Sequence, residues 1–139
     1  MKRIRLLILL SVLAVALPVG LLAGVAKATG SSGTTSVSIS QTADYNFAGT
    51  QLDVNLLVRC TGGIGLAEVT VNQPHPETGF PATTGFGTNP DVVCDGQTHS
   101  VGVTLIGAVY DPGRAYAIAD VTAPSGPGHA EKWITIKVN

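Results

Sequence analysis

Gln51-Leu52-Asp53-Val54-Asn55-Leu56-Leu57-Val58-Arg59-Cys60 is the stretch on which the fold turns. Leu52, Val54, Leu56, Val58 and Cys60 share one parity, and Asp53, Asn55 and Arg59 share the other. Successive side chains of a strand point to opposite faces, so a period of two describes a half-buried strand, here with its cysteine facing inward.

The same pattern continues outward in both directions, and helical periodicity is absent from residue 29 onward. Before this stretch, residues 35–43 set Val37 and Ile39 against Ser36, Ser38 and Ser40, and residues 44–50 carry the turn formers Asn46 and Gly49. After it, Gly62, Gly63 and Gly65 predict a turn, and residues 66–73 a strand with Ala67, Val69 and Val71 inward and Glu68, Thr70 and Asn72 outward. Residues 74–90 hold Pro74, Pro76, Pro81 and Pro90 with Gly79, Gly85 and Gly87, and read as one long irregular loop, which in a small domain is functional or mobile. Val92 and Val93 suit a short strand before Cys94, and Asp95-Gly96 a turn. Residues 99–106, 114–123 and 131–138 complete the set. Val101, Val103 and Leu105 are expected inward on the first, Ala115, Ala117, Ala119 and Val121 on the second, and Ile134, Ile136 and Val138 on the third. Asp111-Pro112-Gly113 and residues 124–128 supply the turns between them. About seven short strands at this spacing predict an all-β, two-sheet antiparallel sandwich.

The N-terminus points to export. Lys2, Arg3 and Arg5 precede an uncharged run over residues 6–26, and Ala26-Lys27-Ala28 offers small residues where a signal peptidase reads. Residues 1–28 are therefore expected to be a signal peptide, 29–34 a flexible leader and 35–139 one domain. The alternative is an uncleaved anchor, since the run is long enough to span a bilayer, although Pro18 and Gly20 weaken a straight helix.

Four of the eight basic residues precede residue 29, which leaves four against nine carboxylates, a net charge of −5 on residues 29–139. A mildly acidic domain with scattered charges has no footprint for nucleic acid or anionic lipid. Cys60 and Cys94 are expected to pair, because an exported chain with two cysteines has one intramolecular connectivity.

Catalytic and cofactor patterns are missing. There is no Gly-x-Ser-x-Gly elbow, and Gly63-Ile64-Gly65 lacks the third glycine and the helix of a dinucleotide loop. His75, His99 and His129 all fall in or beside expected turns, and His99 has Asp95 as a local partner. No cofactor or metal is expected, nor an enzyme. One aromatic feature remains. If Ile134 and Ile136 face the core, Trp133 faces away from it, and the small face of 114–123 leaves Tyr116 and Ile118 outward. A hairpin of these two strands would place Tyr116, Ile118 and Trp133 near Thr70 and Asn72 as a candidate binding face. Cross-strand pairing for stability is the alternative use of such aromatics.

Val37-Ser38-Ile39-Ser40-Gln41-Thr42, Val58-Arg59-Cys60, residues 69–73, Cys94-Asp95-Gly96-Gln97-Thr98-His99 and Gly113-Arg114-Ala115-Tyr116-Ala117 resemble the small exported immunoglobulin-like domains of actinobacteria. The resemblance implies an immunoglobulin-like sandwich and carries over no catalytic residue. The neocarzinostatin-type apoproteins are similar in architecture only, and typically carry two disulfides where this chain has two cysteines. The expected function is a secreted non-catalytic module that binds an extracellular protein or cell-surface component through the sheet face or the 74–90 loop. A carrier of a small apolar ligand between the sheets is the alternative, and an enzyme inhibitor a third.

Overall fold

The computed structural model describes residues 33–74 and 82–139. The expected signal peptide, all but the end of the leader, and His75, Pro76, Gly79 and Pro81 lie outside the described residues.

The described chain is all-β. It has five strands: β1 (Ser36–Asn46), β2 (Gln51–Gln73), β3 (Thr83–Ile106), β4 (Gly113–Ala123) and β5 (Gly126–Val138). β1 turns into β2 through a short 3-10 turn at Phe47–Gly49. The Asn46 side chain accepts from the amides of Ala48 and Gly49 there, and Thr50 takes the left-handed conformation. β4 and β5 form a tight hairpin, with Ala123 paired to Gly126 across Pro124-Ser125.

The seven expected strands reduce to five because two expected turns are bends within strands. At Gly62, Gly63 and Gly65 the chain does not reverse. β2 runs through, and its ladder to β3 shifts register between Arg59 and Thr61, Thr61 and Gly63, and Gly65 and Ala67. Gly62 and Gly63 have φ of 102° and 123°, which side chains disfavour. Asp95-Gly96 is likewise a kink inside β3, where Asp95 accepts from the Gln97 amide. These are bulges, which bend a strand and increase its twist without ending it.

Those bends let one hairpin serve two regions. The first half of β2 pairs with β1 on one side and with the second half of β3 on the other. Its second half pairs with β4 and with the first half of β3. β5 pairs with β4 and runs parallel to β1 over Thr135–Val138. The strands β1, β5, β4 and β2 thus close into a four-stranded barrel, and β3 lies along the whole of β2 as an extra strand.

The expected inner faces of the strands enclose one core. Leu52, Val54, Leu56, Val58, Cys60, Val69, Val71, Val101, Val103 and Leu105 are all buried, as are Ala115, Ala117, Ala119, Val121, Ile134 and Ile136. Val138 is not, because β5 has run to the end of the barrel by then, and its side chain is 42% exposed. Cys60 and Cys94 are bonded, their Cα atoms 4.5 Å apart on neighbouring strands.

Residues 83–90 are not part of an irregular loop. They open β3, with Gly85 and Gly87 buried and Thr84, Phe86 and Thr88 exposed. The two glycines face inward because nothing larger fits. A Cβ on Gly85 would lie 2.1 Å from the Tyr110 hydroxyl, and one on Gly87 2.5 Å from the Thr104 carbonyl. The first half of β3 therefore lies against its own second half. Asn89 Nδ2 donates to the Gly102 carbonyl at 2.7 Å across the same seam.

Candidate binding face

The outward face of β3, β2, β4 and β5 is fixed residue by residue by its register. Asn72, Tyr116 and Trp133 lie in one row, Asn72 opposite Tyr116 and Tyr116 opposite Trp133. Thr84 joins this row from β3. The next row is Phe86, Thr70, Ile118 and Glu131, and the third is Thr88, Glu68, Asp120 and His129. All five expected face residues, Thr70, Asn72, Tyr116, Ile118 and Trp133, are brought together.

Trp133 is 46% exposed and Phe86 56%, while Tyr116 and Ile118 are half-buried. The Tyr116 and Trp133 rings are tilted with centroids 5.2 Å apart, and the Arg114 guanidinium carbon stands 4.8 Å from the Trp133 ring centre. Cations favour that position because the ring face is electron-rich. Thr84 donates to the Asn72 side chain at 2.7 Å. Beneath one end, Gln73 is the single buried polar residue among the described residues. Its amide donates to the Asp111 carbonyl at 2.8 Å and accepts from the Asp111 amide at 2.9 Å. A buried amide so paired holds the end of β2 against the chain that leads into Arg114 and Tyr116.

A second group on this face escaped the sequence reading. His129 sits within β5 rather than in a turn, bonded through Nδ1 to Asp120 at 2.6 Å and through Nε2 to Glu131 at 2.9 Å. Tyr116 donates its hydroxyl proton to Glu131. Hydrogen bonds to Asp120 first and Glu131 second raise the His129 pKa above its ordinary value of 6.5. The Tyr116 hydroxyl, then His129, lowers that of Glu131 from 4.5. The Tyr116 hydroxyl is raised, chiefly by its bond to Glu131. The two carboxylates approach opposite sides of the imidazole, and no group of described residues converges on a metal position. His99 makes its expected local bond to Asp95, at 2.8 Å.

The signs fix a pH window for this network. A raised histidine pKa contributes stability in full below about 6.5, and loses it as pH rises through the raised value. A lowered glutamate pKa contributes in full above about 4.5, and loses it as pH falls through the lowered value. Both contributions are complete between those limits. NMR titration should place the His129 midpoint above 6.5, and Asp120→Asn should move it down. A midpoint unchanged in that variant would mean the bond does not persist in solution.

Among the described residues no helix is long and apolar enough to cross a membrane. The sequence matches no protein-family model and no curated protein.

Proposed function

We propose that this chain is a secreted, non-catalytic binding module that captures an extracellular protein or cell-surface component on the outward face of β3, β2, β4 and β5. The observation that carries the reading is Trp133, a large aromatic left 46% exposed beside Tyr116 in the middle of a strand pair rather than at a loop tip. Exposed aromatics rimmed by polar groups are typical of binding surfaces, and a monomer gains little by exposing them. Export through cleavage after Ala28 belongs to the same reading, and a disulfide is consistent with an oxidising compartment.

The ladder pattern supports an immunoglobulin-like sandwich. β1, the first half of β2 and the second half of β3 make one set, and the first half of β3, the second half of β2, β4 and β5 make the other, the two being joined by the short parallel ladder of β1 with β5. The bulged stretches of β2 and β3 are where these strands pass from one set to the other. An immunoglobulin-like domain divides its strands between two such sheets. The carrier alternative gains no support from the first half of β3, where Gly85 and Gly87 bring backbone against Tyr110 and Thr104.

Trp133→Ala tests the reading. Pull-down with the exported protein, against culture supernatant and cell-wall fraction, should lose its captured component in the variant, while the melting temperature stays nearly unchanged. Capture that survives the substitution would remove the face from consideration. A loss of about 3–5 kcal/mol in stability would instead place Trp133 among packing residues.

A further inference from the structure

We propose that the occupant of this face is a second copy of the chain, docked face to face about a twofold axis that crosses β4 at Ala117, perpendicular to the strands. The inference rests on the reading of the face as a docking surface and names what it docks.

The argument is the order of charges along β4. Arg114 opens the outward row of β4, Tyr116 and Ile118 follow, Asp120 comes next and Thr122 ends it. Beside Asp120 lie Glu68 of β2 and His129 of β5, and beside Arg114 lies Thr135 of β5. Along β4 the face is therefore acidic at one end, basic at the other and apolar between them, with Glu131 of β5 beside Ile118 and bonded to Tyr116 and His129.

A twofold axis lying in the interface and perpendicular to the strands reverses the order of the rows. It carries Arg114 of each copy onto Asp120 of the other, and Tyr116 onto Ile118. Trp133 comes to face Glu131, and His129 comes to face Thr135. Among the described residues of these rows no carboxylate meets a carboxylate. An axis running along β4 would do the opposite, laying Arg114 on Arg114 and Asp120 on Asp120. Isologous contact is self-complementary by definition, and of these two axes the first satisfies the charges of β4.

The area is small. Four strands about 4.8 Å apart, over the six-residue rise from Arg114 to Asp120 that is centred on Ala117, at about 3.4 Å each, outline roughly 400 Å² per copy. Two copies bury about 800 Å², less than the roughly 1,000 Å² of a stable specific interface, which makes this a transient contact. The dimer is accordingly expected to be weak, with a Kd of about 0.1–1 mM.

Sedimentation velocity of the exported protein, from about 1 µM to about 1 mM, should show a reversible dimer. Arg114→Glu alone sets acid against acid at both contacts, and Asp120→Arg alone sets base against base. Each variant should weaken self-association at least tenfold. An equal mixture of the two should regain dimers, because every cross-contact then pairs opposite charges. A wild-type protein that stays monomeric throughout overturns the proposal. So does a dimer that neither substitution weakens, which would use another surface, or a mixture that fails to regain association. None of these results bears on the Trp133→Ala capture experiment, which would still report whether the face binds anything else.

Discussion

Replacing both Cys60 and Cys94 with Ala should lower the stability of the domain by about 2–5 kcal/mol. The bond joins residues 34 apart in sequence, and closing a loop of that length restricts the unfolded chain by about 4 kcal/mol in the chain-entropy model. Its position makes the upper half of the range the expectation. The bond bridges β2 and β3 where their ladder is most irregular, between the register shifts that flank Thr61 and Gly63. Regular hydrogen bonding is interrupted there, so the covalent link holds the two strands through the bend that carries them between the two halves of the fold. Urea denaturation of the oxidised wild type and the double variant reads the loss as a shift in midpoint. Two titratable thiols in the native, non-reduced protein would show that the bond does not form.

Gly87→Ala should destabilise the protein by about 1–3 kcal/mol, a large effect for one methyl group. The new Cβ would lie 2.5 Å from the Thr104 carbonyl oxygen and 2.9 Å from its carbon. Both are backbone atoms of a paired strand, so neither can swing aside as a side-chain end would. Gly102→Ala is the control. It lies on the same strand, and a Cβ there meets only the Asn55 side chain, at 3.7 Å. Its melting temperature should stay close to wild type, whereas each kcal/mol lost in Gly87→Ala should cost about 4–8 °C. Equal melting temperatures for the two variants would mean that the halves of β3 are not pressed together as described.

Side-chain parity was legible in the sequence because alternation and burial are the same physical fact. The inward sets of β2, β4 and β5 follow it, and so does the outward group of Tyr116, Ile118 and Trp133. Continuation of the chain was not legible. Gly62-Gly63 and Asp95-Gly96 specify backbone with positive φ or a local side-chain bond, and both a hairpin and a bulge use these. Which one forms depends on partners far away in sequence. Phe86 and Thr84 were missed because their strand has glycine at its inward positions. Where glycines make room for the Tyr110 ring and for the Thr104 backbone there is no apolar alternation to read. His129 was missed for another reason: its bonds to Asp120 and Glu131 exist only once Ala123 and Gly126 pair and fix the hairpin register. Val138 follows the right parity but outruns the core it would have entered.

The seam within β3 has one more consequence. A strand with a single ladder partner over 24 residues leaves a flank of amides and carbonyls that could template the addition of other chains. Here β3 bends back so that Asn89 occupies the Gly102 carbonyl and Gly87 lies on that of Thr104. The segment around Val101, Val103 and Leu105 is rich in β-branched and aliphatic residues and carries no lysine or proline to discourage pairing. It is shielded instead by its own chain. Protection against fibrous growth is thus built into the length of one strand, and it holds for as long as the bend at Asp95–Gly96 holds.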